Sequence, residues 1–230
     1  MQLHFNVRYF FSAVLLFILG HSNWAQVAPG NGYREVICAK QESALMYSQK
    51  NLDFVEKAGA DDYDLHYQRM EWTVDPAVLY INGTVTSYIT SKVSNLDKII
   101  FDLSDTLEIN DIFIRGNSLN YTLLGDNEVE IELPNTLNAN EVDSFSITYE
   151  GRPYATGLGS FKVGIHGPDD VPVLWTLSEP FGAREWWPCK QTLTDKIDSC
   201  DIIVTCPEQY KTASLGLVQS DVVANGNRTM

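Results

Sequence analysis

The residues best suited to chemistry lie in one stretch, Trp175-Thr-Leu-Ser-Glu179-Pro-Phe-Gly-Ala-Arg184-Glu-Trp-Trp-Pro-Cys189. It gathers three Trp, two Glu, two Pro, an Arg and a Cys. Buried indoles need partners for their N–H groups. Charged groups beside such bulk suggest a walled pocket rather than a uniform core. Glu179 is the most informative acid. It ends the apolar run Val171-Pro-Val-Leu-Trp175 and stands just before Pro180. A carboxylate held there can bind a cationic group such as an α-ammonium through charge-assisted hydrogen bonds. The competing reading is a strand-end carboxylate paired with Arg184 or Lys190.

Other chemistries find less support. A catalytic zinc takes three protein ligands, commonly His, Asp or Glu. Beyond the first 25 residues the only histidines are His66 and His166, no His pair sits at i, i+4, and no Cys-x-x-Cys occurs. No metal site is expected in this chain. Ser160, in Gly157-Leu-Gly-Ser160-Phe161, lacks the Gly-x-Ser-x-Gly spacing of a nucleophile elbow and reads as a loop hydroxyl. The glycines around Thr156 lack the Lys and the following helix that a phosphate loop needs.

The elements that must position Glu179 are strands. From Asp61 the apolar period is twofold: Tyr63-x-Leu65-x-Tyr67, Leu79-x-Ile81-x-Gly83-x-Val85 with Ile89 in register, then Ile99, Phe101 and Leu103. Glu128-Val-Glu-Ile-Glu-Leu133 alternates strictly, the mark of a strand with one wet face. Phe145, Ile147 and Tyr149 mark another. Turns are expected at Asp75-Pro76, Ser94-Asn95, Arg115-Gly116-Asn117, Gly125-Asp126-Asn127 and Pro134-Asn135. Lys196 to Pro207 reads as a well-buried strand closed by proline. Ala213 to Gln219 reads as a turn and a further strand, and Asn225-Gly226 as another turn. The fold class is mainly β: an antiparallel, saddle-like β sandwich with an N-terminal signal segment and a short leading helix.

The N-terminus reads as a targeting segment. Arg8 supplies the positive region, Tyr9 to Gly20 is an apolar run too short for a comfortable membrane span, and cleavage after Ala25 is expected. The mature chain is therefore expected to be exported, with no membrane span. Residues 26–60 form a leading arm, with a helix expected over Tyr33–Lys57 from its helix formers and from the stripe Val36, Ile37, Leu45, Leu52 and Val55. Gly59 ends it. Residues 61–230 form the β domain. The formal net charge is −14 and becomes −15 once Arg8 is removed. Such a surface repels phosphate backbones and argues against nucleic acid. The four cysteines, Cys38, Cys189, Cys200 and Cys206, allow three full pairings. Cys200 and Cys206 would lie about 20 Å apart in an extended strand, beyond bonding reach. Buried free thiols are expected.

Several motifs occur together in order: Leu65-His-Tyr, Ile81-Asn-Gly-Thr-Val, Ile147-Thr-Tyr-Glu-Gly151, Gly159-Ser-Phe161, Thr176-Leu-Ser-Glu179-Pro and Ala183-Arg-Glu-Trp-Trp-Pro-Cys189. Together they resemble the N-terminal β domain of the aminopeptidase N family of zinc metallopeptidases, over roughly Asp61 to Met230. The resemblance implies a saddle-like β domain packed against a thermolysin-like catalytic domain that holds zinc. It implies that the acid at Glu179 binds the free N-terminus of a peptide, with Arg184 fixing the Glu179 loop. Two positions depart from the family: Leu177 replaces a common Gln, and Gln191 stands where an Asp is common. The family's Gly-Ala-Met-Glu-Asn loop and His-Glu-x-x-His helix are absent from these residues. The chain therefore reads as a substrate-shaping domain, inactive alone, of a parent enzyme that removes N-terminal residues from peptides. A non-enzymatic exported β-sandwich module that binds carbohydrate or protein is the alternative.

Overall fold

In the computed structural model the described residues are 59–154, 159–179, 181–192 and 194–230. The expected signal segment, the leading helix and Cys38 lie outside them, as do Pro180 and Leu193.

The alternating segments fold as thirteen strands among the described residues. They are β1 (Tyr63–Val74), β2 (Ile81–Ser91), β3 (Leu96–Asp102), β4 (Leu107–Ile114), β5 (Asn117–Ser118), β6 (Tyr121–Leu124) and β7 (Glu128–Leu137). Then follow β8 (Val142–Gly151), β9 (Phe161–His166), β10 (Val171–Thr176), β11 (Ser199–Pro207), β12 (Val222–Ala224) and β13 (Asn227–Thr229). An eight-stranded sheet runs β12-β13-β11-β1-β2-β8-β4-β5, beside a three-stranded sheet β3-β7-β6 and the hairpin β9-β10. Every ladder is antiparallel except β1 with β11, which is parallel.

The two larger sheets share one apolar core. Ile81, Ile112, Phe145 and Ile147 from the first meet Ile99, Phe101, Val129 and Ile131 from the second. Phe101 and Phe145 touch edge to face across the layers, with ring centroids 5.1 Å apart. This is a sandwich of mainly antiparallel sheets, and it is mainly β as the alternation predicts.

Two bulges change which residues face that core. The β1–β2 register slips between Leu65 and Tyr67, leaving His66 as an extra residue. An extra residue moves every later side chain to the opposite face. Tyr63 and Leu65 are buried before the slip; Gln68, Met70 and Trp72 are buried after it. The Tyr63-x-Leu65-x-Tyr67 alternation thus ends at His66. A second slip, between Ile109 and Asp111, does the same in β4.

Four further expectations are corrected. Pro134-Asn135 is not a turn but lies within β7, opposite a large register shift against β3. A residue without an N–H is tolerated where the ladder is already interrupted. Ala213 to Gln219 is not a strand. Gly216 there takes φ +89, a left-handed backbone that breaks an extended run. Lys196–Pro207 is only half buried: β11 begins at Ser199 and buries Val204 and Cys206 alone. Cys200 is accordingly an exposed free thiol, whereas Cys189 and Cys206 are buried.

Candidate functional site

The hairpin β9–β10 delivers the chain to Glu179. Val171 pairs with His166 and Thr176 with Phe161. The β-branched and aromatic residues of β10 suit a pleated, half-buried surface. The ladder continues one step further, because the Leu177 N–H donates to the Ser160 carbonyl at 3.1 Å. The Gly182 N–H donates to the Ser178 carbonyl at 2.7 Å, closing a turn over residues 178–182. Glu179 rides on this turn. A short 3-10 turn, Ala183–Glu185, follows.

Buried contacts hold the turn from behind. The indole N–H of Trp186 donates to the Ser178 hydroxyl at 3.1 Å. The Ser160 hydroxyl donates to the Glu185 carboxylate, and both residues are buried. Gly182 lies against Ser160 so closely that a Cβ on it would sit 2.8 Å from the serine Cβ. Only glycine permits that approach.

Trp186 is fixed by an aromatic cluster. Its ring centroid lies 4.7 Å from Trp72, 4.3 Å from Trp187 and 5.8 Å from Phe161. Tyr149 locks the cluster to the sheet. Its hydroxyl accepts from the Trp72 indole N–H at 3.0 Å and donates to the Trp186 carbonyl at 2.8 Å. Gly83 makes room for the Tyr149 ring, since a Cβ there would lie 2.8 Å from it. Burial pushes the Tyr149 hydroxyl well above the ordinary tyrosine range, against the opposing pull of the Trp72 hydrogen bond.

The structure separates the charged residues that the sequence set side by side. Glu179 is exposed, and among the described residues no hydrogen bond or ion pair reaches its carboxylate. Arg184 turns toward the three-stranded sheet, 3.9 Å from the Asp102 carboxylate and donating to the Asp126 carbonyl at 3.3 Å. Lys190 is committed to the Asp195 carboxylate and donates to the Tyr63 carbonyl at 2.6 Å, with its ammonium 4.2 Å from the Tyr63 ring centroid. Burial holds the Lys190 ammonium below the usual lysine range, while Asp195 pulls it back upward. Neither cation therefore pairs with Glu179, whose oxygens stay available to an incoming donor. At Gln191 the backbone N–H donates to Asp102 at 3.0 Å.

Among the described residues no three His, Cys, Asp or Glu side chains come together as a ligand set. His66 occupies the β1 bulge and His166 the far end of β9. The residues that sequence reasoning passed over are Ser178, Ser160 and Glu185 as fasteners of the turn. A lone hydroxyl in Thr-Leu-Ser-Glu gives no signal of a contact that the fold makes eight residues away.

No protein-family profile matches the chain, and no curated protein matches it either. Solved structures do. A mutant M1 zinc metallopeptidase from Deinococcus radiodurans superposes with a TM-score of 0.63 at 25% identity, over 74% of this chain and 38% of its own. This is the β fold of the aminopeptidase N, or M1, zinc metallopeptidases. The unmutated Deinococcus enzyme gives a TM-score of 0.62 at 24% identity, over 73% of this chain and 38% of its own. A two-domain M1 zinc metallopeptidase bound to L-tryptophan gives 0.64 at 24%, over 76% and 40% respectively. The chain thus spans about two fifths of the length of these M1 structures. Among the described residues no helix is long and apolar enough to cross a membrane.

Proposed function

We propose that this M1-type β domain forms one wall of the peptide cleft in an exported zinc aminopeptidase, and that Glu179 receives the substrate's α-ammonium. The observation that carries this reading is the state of Glu179: an exposed, unpaired carboxylate on a turn fastened by one buried and one part-buried hydrogen bond. A carboxylate meeting an ammonium contributes about 1.5–3 kcal/mol as a charge-assisted hydrogen bond. The contact strengthens when a second wall excludes water from it. Arg184 supports the wall by tying the stretch after the turn to Asp102 and Asp126. Bond cleavage belongs to a zinc-bearing catalytic domain, because these 230 residues contain no His-Glu-x-x-His and, among the described residues, no zinc ligand set comes together.

The test uses the complete aminopeptidase that carries this domain. Glu179→Gln keeps the shape and removes the charge. It is expected to lower kcat/KM for free-amine aminoacyl-nitroanilides by about 10- to 100-fold, since each 1.4 kcal/mol is a factor of ten. Wild-type kinetics for Glu179→Gln would refute the assignment. Purified 26–230 is expected to show no chelator-sensitive hydrolysis of the same substrates.

A further inference from the structure

We propose that Ser178, held by Trp186, is the positioning residue that aims Glu179. This rests on the reading that Glu179 binds the α-ammonium. Among the described residues the Glu179 carboxylate has no partner of its own, so its direction must come from the backbone that carries it. That backbone is fastened on both sides of Glu179. The Leu177 N–H is held by the Ser160 carbonyl at 3.1 Å, and the Gly182 N–H by the Ser178 carbonyl at 2.7 Å. Only one side-chain bond reaches the residue next to Glu179 in the described structure: the Trp186 indole N–H on the Ser178 hydroxyl, at 3.1 Å.

The donor end of that bond cannot drift. Trp186 is 7% exposed. Its ring is wedged among Trp72, Trp187 and Phe161, and its carbonyl is taken by the Tyr149 hydroxyl. Rigidity therefore passes from the sheet through Tyr149 to Trp186, then to Ser178, and arrives one residue before the carboxylate. Without the Ser178 hydroxyl the turn keeps its backbone bonds but loses its tie to the aromatic cluster. A displacement of about 1 Å in a binding group costs up to about 100-fold. A turn still closed by two backbone bonds should lose less than that.

Steady-state kinetics in the complete enzyme test this. Ser178→Ala is expected to raise KM for free-amine substrates about 5- to 10-fold, with kcat within twofold and a melting temperature lowered by about 2–4 °C for each kcal/mol of the lost Trp186 hydrogen bond. Ser178→Thr, which keeps the hydroxyl, is expected to restore KM. In a Glu179→Gln background Ser178→Ala is expected to add nothing, because there is no charge left to aim. If Glu179→Gln raises KM and Ser178→Ala does not, the positioning role is wrong and the Glu179 assignment stands. If the two substitutions are simply additive, or Ser178→Thr fails to rescue, Ser178 is merely structural and the proposal falls. If Glu179→Gln leaves kcat/KM unchanged, the assignment fails and takes this proposal with it.

Discussion

Tyr149→Phe removes one oxygen from the centre of the support behind Glu179, and its cost can be worked from the contacts. Phenylalanine fills the same ring volume, so no large cavity forms. Two groups lose their partner: the Trp72 indole N–H, 3.0 Å away, and the Trp186 carbonyl, 2.8 Å away. Tyr149 is 0% exposed and both tryptophans are 7% exposed, so water does not easily replace it. A buried polar group left unpaired costs about 1–3 kcal/mol. Two of them set the loss at about 2–6 kcal/mol. In a domain of this size each kcal/mol lowers Tm by about 2–4 °C. Urea denaturation and thermal melting of the isolated chain read the difference directly. The pH dependence gives a second arm. The Tyr149 hydroxyl titrates above its ordinary value of 10.0 in the folded chain because it is buried. Its contribution is therefore complete below pH 10 and is lost as pH climbs above it, where the unfolded chain ionises first. Tyr63, raised by burial and by Asp102 and Asp195, adds a loss of the same sign. The wild type should weaken above pH 10, and Tyr149→Phe should flatten part of that slope. A loss under about 1 kcal/mol at pH 7, with the alkaline limb unaltered, would show that the hydroxyl is not holding the tryptophans.

Lys190→Met should cost about 3–5 kcal/mol in urea melts, because it strands the buried Asp195 carboxylate without its cation. Adding Asp195→Asn should recover at least half, since an amide oxygen still accepts from the Leu65 N–H; a Lys190→Met chain within 1 kcal/mol of wild type would contradict the buried pair. The lowered Lys190 pKa has the opposite sign to the tyrosines: its burial cost is relieved as pH rises from the folded value toward 10.5. Thiol labelling of the native chain mapped by peptide mass should mark Cys200 and spare Cys189 and Cys206, because only Cys200 is exposed among these three. Equal labelling of Cys206 would place β11 elsewhere.

Short-range physics made the β class and most strand positions readable. Alternation in Ile81–Ser91 and Glu128–Leu133, and the Asn-Gly pair at Asn225, depend on each residue and its immediate neighbours. Glu179 stands out as a candidate for the same reason: an acid at the end of an apolar run, in a motif set resembling one family. The two bulges were not. A single extra residue, His66, decides whether Tyr67 or Gln68 faces the core, and it shows only once β2 supplies a partner register. The partners of the charges were equally hidden. Arg184 and Lys190 lie within eleven residues of Glu179 in sequence, yet they pair with Asp102 and Asp195 because folding brings β3 and the approach to β11 alongside. Sequence proximity sets which groups are available. Only the packed sheets determine which of them meet, and so leave the Glu179 carboxylate unclaimed.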